Sequence, residues 1–187
     1  MSTRKPRSKL ILDANVVIYL HERGLWQAVL GRCDVYLSGT VIDHEALFYE
    51  AGGFRNDIDL SSALAAGKVR RFDVLASEVK AFRSQFDPAY RGELDPGEEE
   101  SLTYMFRGGT EVGGQQFRIV SGDAIVYRIL GNLNLGHAGV SLEELLGELG
   151  LGRKDLAWQY TRAFRHKYTS EGEQHAIRGL GRKSKET

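Results

Sequence analysis

Several carboxylates in this chain stand where short apolar runs end and new segments begin. Asp13 directly follows the run Lys9–Leu12, and Asp123 follows Phe117–Val120 across Ser121-Gly122. Asp43 and Glu45 lie one helical turn beyond Asp34–Ser38, and Glu98-Glu99-Glu100 opens the segment after Pro96-Gly97. Any one of these acids has an ordinary use as a helix N-cap or a first-turn partner of the helix dipole. The joint pattern suggests more. Carboxylates gathered without histidine or cysteine suit a hard, oxygen-seeking cation, Mg2+ or Mn2+. Such ions clamp phosphates and activate water for in-line attack on a phosphodiester. Asp13, Glu45, Glu98 and Asp123 are therefore the candidate metal ligands and catalytic acids. Without metal their mutual repulsion should make at least one of them hold its proton unusually tightly. The position after the second apolar run is open between two residues. Read on a helix, Glu45 shares a face with Val41, Ile42, Phe48 and Tyr49, so it points inward, where a carboxylate needs a charge to meet it. Asp43 shares its face with Leu47 and Glu50 and points outward.

Positioning these acids requires strands and helices in alternation. Lys9–Leu12 reads as a strand, with a helix over 16–29 after Asp13-Ala14-Asn15. Asp34–Ser38 reads as a second strand, with Thr40 capping a helix that runs to about Glu50 before Gly52-Gly53 breaks it. Residues 57–66 read as a helix, Val69–Val74 as a third strand and Ala76–Phe86 as a helix. Asp87–Gly97 reads as a loop and Glu98–Arg107 as a helix. Gly108–Gly114 is a second loop, and Phe117–Val120 is a fourth strand leading into a helix that reaches Leu130. Four short apolar strands alternating with helices predict an α/β fold: a parallel sheet with helices on both faces. In such a sheet ligands bind beyond the carboxyl ends of the strands, where Asp13 and Asp123 would share one rim. From Leu142 the chain is helix-rich and ends in a polar tail after Ser170. This divides it into a domain over 9–140 and a C-terminal helical extension with a basic polar tail over 141–187.

Composition narrows the class. With 187 residues, 42% hydrophobic, 27% charged and only three prolines, the chain is neither disordered nor fibrous. It has no run near the roughly 18 apolar residues of a membrane span, and its opening residues lack a signal peptide's apolar centre. One cysteine, Cys33, allows no internal disulfide and no cysteine-based zinc site. A cytoplasmic protein is expected. The net charge of zero conceals a polarity: residues 1–10 carry +4, residues 151–187 carry +5, and 11–150 carry −9. An acidic centre that needs cations, flanked by basic arms that hold a polyanion, fits that distribution, as do solvated tails. Arg4, Lys5, Arg7, Arg153, Lys154, Arg162 and Arg165 are the candidate phosphate contacts, and such contacts position a nucleic acid without reading its sequence. Trp26, Phe48 and Phe72 read as core, and Cys33 as a small buried side chain. His44, His137 and His166 show no ligand spacing. Trp158, Tyr160 and Phe164 are placed on one helix with Arg162, Arg165 and Lys167, a helix suited either to packing on the domain or to contacting RNA or a partner.

Three segments also carry a resemblance. LILDANVVIYL resembles the opening of the PIN-domain ribonucleases, the family of the VapC-type toxins: a strand, Asp-x-Asn, then an apolar helix. LDPGEEESLTYMF is similar to that family's Gly-Glu-x-Glu helix, and FRIVSGDAIVYRIL to its block of strand, Ser/Thr-x-Asp and helix. The matches span residues 9–135 in the family's order. The resemblance implies a PIN-like sandwich and a Mg2+- or Mn2+-dependent endoribonuclease in which Asp13, Glu98 and Asp123 are acids of the site. It also implies that Asn15 and Ser121 orient carboxylates, that Glu100 is an auxiliary acid, and that Glu45 or Asp43 is the remaining acid. It further implies an RNA substrate, a toxin role with a cognate antitoxin, and a homodimer. Two features depart from the pattern: the extension over 140–187, and the absence of a second aspartate between Ala124 and Arg128. Rival readings are a PIN-fold protein that binds RNA or a protein partner without cutting, and a phosphatase-like or nucleotide-binding α/β protein. The latter lacks a Walker-type glycine run at any strand end.

Overall fold

The computed structural model describes residues 7–92, 94–106, 111–112 and 115–183. Its sheet has five strands: β1 (Ser8–Leu12), β2 (Cys33–Ser38), β5 (Val69–Phe72), β7 (Gln115–Val120) and the short β6 (Glu111–Val112). They run in the order β5-β2-β1-β7-β6. The first four are parallel, and β6 lies antiparallel on β7 at the edge. The fold is thus α/β with a four-stranded parallel sheet between helices, as the alternation of apolar runs predicts. Side chains alternate across the sheet and feed two cores. Leu10, Leu12, Val35 and Leu37 enter one, with α1 (Ala14–Glu22) and α2 (Trp26–Leu30). Ile11, Tyr36, Phe117 and Ile119 enter the other, with α6 (Pro96–Tyr104) and α7 (Ala124–Asn132).

Strand order decides where a site can form. From β1 the chain moves to β2 and β5 on one side, while β7 lies on the other, so direction reverses between β1 and β7. Leu12 pairs with Val120 at the ends of those strands, and the Asp13 N–H donates to the Val120 carbonyl at 3.2 Å. That junction is where doubly wound sheets open a crevice.

Three expected elements differ. The helix over 16–29 is two helices, because the chain turns at Gly24 with φ +65°. The helix from Thr40 to Glu50 does not form. A π-helical turn over Val41–Glu45 is followed by a hairpin of β3 (Phe48–Ala51) and β4 (Phe54–Asp57), with Gly52 and Gly53 at φ +61° and +78° in its turn. Phe48 consequently lies on a surface strand, 38% exposed under the Arg55 guanidinium, whereas Trp26, Phe72 and Cys33 are buried. The segment Asp87–Gly97 contains a short helix, α5 (Pro88–Arg91), and α6 begins at Pro96. Of the glycine loop 108–114, only 111–112 falls among the described residues.

The segment after 141 is built into both cores. Leu142, Leu145 and Leu146 of α8 (Leu142–Glu148) are fully buried beside α1 and β1. Trp158 and Tyr160 occupy a 3-10 turn that precedes α9 (Arg162–Ile177), so they are not on the helix with Phe164. α9 lies hard against α7: a methyl group on Gly131 would collide with the Thr169 carbonyl, and one on Gly172 with the Arg128 carbonyl. Only glycine permits that backbone approach. The polar stretch after Ser170 is not a loose tail through Lys183, since α9 continues to Ile177, Arg182 bonds Asn132 Oδ1 at 2.8 Å, and the Lys183 N–H reaches the Gln85 carbonyl at 3.2 Å. No helix among the described residues is long and apolar enough to cross a membrane.

Candidate functional site

Asp13, Glu98 and Asp123 converge. One carboxylate oxygen from each lies within 4.8 Å of those of the other two. Asp13 leaves β1 as the N-cap of α1 and is held on both oxygens, by the Val16 N–H at 2.7 Å and the Gly122 N–H at 2.9 Å. Asp123 leaves β7 as the N-cap residue of α7, and its N–H donates to Ser121 Oγ at 2.9 Å. The Tyr127 hydroxyl accepts from the Ser121 N–H and sits 3.0 Å from the carbonyls of Ser121 and Val140, which pins the turn that carries Asp123. Asn15 reaches across the rim: its side-chain N–H donates to Asp123 Oδ2 at 3.2 Å. Glu98 comes from the first turn of α6, where its Oε2 accepts from the Asp95 N–H at 3.2 Å.

The remaining oxygen, Glu98 Oε1, is buried and has no hydrogen-bond partner among the described residues. A buried acceptor without a donor is costly. Among the described residues no lysine or arginine forms an ion pair with these acids, and burial governs the protonation of Asp13 and Glu98. Burial pushes Asp13 up to about 6, against the opposing hydrogen bonds from Ser121, Val16 and Gly122. Burial first, then the charges of Asp13 and Asp123, drives Glu98 far above the usual carboxylate range. A protein that spends this much on keeping three acids together fits a cation between them. The donors are oxygens only, Glu98 has one oxygen unused, and the set suits Mg2+ or Mn2+.

Glu45 lines the same cleft, a cavity of about 310 Å3 bordered by Asp13, Asn15, Ile18, Asp95 and Glu98, although its carboxylate lies outside the group of three. Its Oε1 accepts from the Gly97 N–H at 3.0 Å, and partial burial raises it above an ordinary glutamate. A methyl group on Gly97 would strike that carboxylate and Val41, so the glycine before Glu98 makes room for Glu45. Glu45 faces the cleft from the end of a π-helical turn, and the helical neighbours that pointed it inward do not exist as such.

Several expected participants lie elsewhere. Asp43 is turned away and takes both oxygens to Arg71 Nη1, at 2.8 and 3.0 Å. Glu100 serves Thr40, accepting from its hydroxyl at 2.8 Å and its N–H at 3.3 Å. Among the basic candidates, Arg4 and Lys5 lie outside the described residues. Arg7 binds the carbonyls of Leu30 and Cys33 and faces Asp34. Arg153 faces Asp155, and Arg165 holds both oxygens of Glu144 at 2.7 and 2.9 Å. Those three arginines are structural ties here. Lys154 is exposed, and the Arg162 side chain is 74% exposed, with Glu144 at 3.5 Å.

Asp95, Gly97 and Tyr127 also belong to the site although the residue pattern did not single them out as such, and Tyr160, expected on a helix with Phe164, reaches it from a 3-10 turn. An acid three residues before Glu98 is a capping pattern and was a usable signal for Asp95. Tyr160 had none: its hydroxyl donates to the Asn15 carbonyl at 3.3 Å across 145 positions of sequence. No protein-family model matches the chain, and no curated protein matches it.

Proposed function

We propose that the protein is a Mg2+- or Mn2+-dependent endoribonuclease of the PIN type, acting on an RNA substrate in the cytoplasm. The observation that carries this reading is the gathering of Asp13, Glu98 and Asp123 at the β1/β7 crevice without a cationic partner among the described residues, with Glu98 Oε1 left unsatisfied. A bound divalent ion there would neutralise the acids, polarise the scissile phosphate and activate the attacking water. The chain's own groups do the rest. The Val16 and Gly122 N–H groups fix the Asp13 carboxylate, and Asn15 fixes that of Asp123, so the ligand oxygens need no reorganisation. Glu98 would hold the ion with Asp13 and Asp123 through its carboxylate. Glu45, at the cleft wall, adds a carboxylate beside the three acids.

The test is cleavage of single-stranded and structured RNA with Mg2+, Mn2+ or EDTA, beside Asp13→Asn and Asp123→Asn. Metal-dependent cleavage lost in both variants supports the reading. Wild type indistinguishable from the variants in every buffer overturns it and leaves a binder of RNA or protein. A toxin role with a cognate antitoxin and a homodimeric assembly go with the same reading. Co-purification and mass measurement test those two.

A further inference from the structure

The 3-10 turn before α9 lies beside the acid rim and carries a largely exposed aromatic side chain, Trp158. Tyr160 packs into the crevice: a methyl group on Gly122 would lie 3.1 Å from its ring and 3.6 Å from Gln159 Cγ. Its ring lies 4.4 Å from that of Tyr19, and its hydroxyl holds the Asn15 carbonyl. Residues 159 and 160 are thereby fixed beside Asp123. Trp158, the next residue back, is 54% exposed. Its backbone is tied into the turn, because its carbonyl accepts from the Thr161 hydroxyl at 2.7 Å and the Thr161 N–H at 3.1 Å. The indole and the Phe164 ring meet nearly at right angles, 87° and 6.0 Å between centroids, and Phe164 rests on Tyr127 and Tyr168. That ring contact supports the indole while more than half of the residue faces solvent. Four residues on, Arg162 carries a largely exposed guanidinium, since Glu144 gives its closer contacts to Arg165.

We propose that the Trp158 indole is a stacking platform for an unpaired base of a single-stranded RNA whose neighbouring phosphate lies in the acid cleft, with Arg162 on the strand's backbone. This rests on the ribonuclease reading. A fixed aromatic face beside an exposed guanidinium is the chemistry that grips single strands, because every base has a π-face and every nucleotide a phosphate. A duplex, with its bases already stacked, gains nothing from the indole.

The protein carries its own reporter. Of its two tryptophans, Trp26 is 3% exposed and Trp158 is 54% exposed, so a solute that contacts RNA-accessible indole reads Trp158 alone. A labelled single-stranded RNA titrated into the uncleaving Glu98→Gln variant, followed by anisotropy and tryptophan emission together, should quench the exposed indole as it binds. Trp158→Ala should weaken single-strand binding by roughly 5- to 100-fold, the range of one base–aromatic stack. It should leave duplex binding and the Trp26 emission that reports folding unchanged, and Trp158→Phe should recover most of the loss. Arg162→Ala should lower the salt slope of binding by about one. Single-strand binding with unaltered emission, or with the same affinity in Trp158→Ala, overturns the platform while leaving the nuclease reading intact. RNA that binds and quenches but is never cut by wild type in any metal overturns the nuclease reading and upholds the platform. No binding of single-stranded RNA at all overturns the platform.

Discussion

Glu98 and Glu144 occupy the same place in their helices and have opposite chemistry. Each is a first-turn glutamate whose carboxylate reaches back to the N–H three residues earlier, Glu98 to Asp95 at 3.2 Å and Glu144 to Ser141 at 3.0 Å. Glu144 then meets Arg165. Partial burial works to raise it, but the Arg165 guanidinium and the N–H and hydroxyl of Ser141 prevail and hold it down at about 2. Glu98 meets Asp13 and Asp123 and is driven the other way. Local sequence starts both helices, and what lies across the gap decides whether the acid is a tie or a ligand. The same contrast runs through three consecutive residues of α6. Glu98 faces the acids, Glu99 takes Arg83 at 2.6 and 2.7 Å, and Glu100 takes Thr40. Successive helical residues point about 100° apart, so neighbours in sequence address three different surroundings.

If the acid cluster is a metal centre and the Glu144 pair is scaffolding, substitutions should separate the two. The largest effect is expected from Asp13→Asn and Asp123→Asn. Each should lower metal-dependent RNA cleavage by more than the roughly 10–100-fold that losing a group behind the ligands costs, measured as initial rates with Mg2+. The melting temperature of Asp123→Asn in EDTA should not fall with the activity, whereas Asp13→Asn also loses one of the two N–H bonds to its carboxylate. Glu98→Gln sharpens the point, because burial and the nearby charges of Asp13 and Asp123 already favour the neutral form of Glu98 in the metal-free protein. Calorimetric titration with Mn2+ should show binding lost while stability in EDTA barely moves. Glu144→Gln should do the reverse, costing about 2 kcal/mol in urea denaturation by loosening Arg165 while Mn2+ binding stays near wild type. A Glu98→Gln variant that unfolds, or a Glu144→Gln variant that loses metal, would dissolve the distinction.

The pH dependence of the metal-free protein should show both regions at once. Asp13 binds its proton more tightly folded than unfolded, so its contribution is complete below about pH 4 and is lost as pH rises through about 6. Glu144 is the opposite case: its contribution is present above the ordinary glutamate range and is lost as pH falls toward 2. Melting temperature in EDTA should therefore peak on the acid side of neutrality. Saturating Mg2+ should move the optimum upward, because the ion binds the deprotonated acids. A curve unchanged by Mg2+ would speak against a metal at this cluster. The smallest effect is expected from Gly97→Ala. The added methyl displaces Glu45 from the cleft wall, so cleavage should fall about 10-fold with a change in melting temperature of only a few degrees.

Much of the scaffold was legible in the residues. Four apolar runs specify four parallel strands, and Asp13 and Asp123 follow two of them directly, so their place on one rim follows from topology. Glu98 was legible as the first acid of its helix. The hairpin at 48–57 was not, because Val41–Tyr49 has an apolar spacing that a helix and a turn followed by a strand both satisfy. Nor was the choice between Asp43 and Glu45. It turns on Arg71, 28 positions from Asp43, and on Gly97, 52 positions from Glu45. The basic candidates divide for the same reason: Arg7 and Arg165 look like free cations in sequence and are tied down by carbonyls and a carboxylate brought in from elsewhere.

The sequence by itself determined the order of strands and helices, the acids that end them, and the absence of sulfur and of clustered imidazole from the site, since these depend on periodicity and residue type alone. Tertiary structure decided which carboxylates meet an arginine, which meet one another, and that Tyr160 folds back onto Asn15 with Trp158 beside it. Those outcomes depend on contacts between residues distant along the chain. The energy of a buried charge is set by what faces it across a few ångströms, which no local stretch of sequence contains.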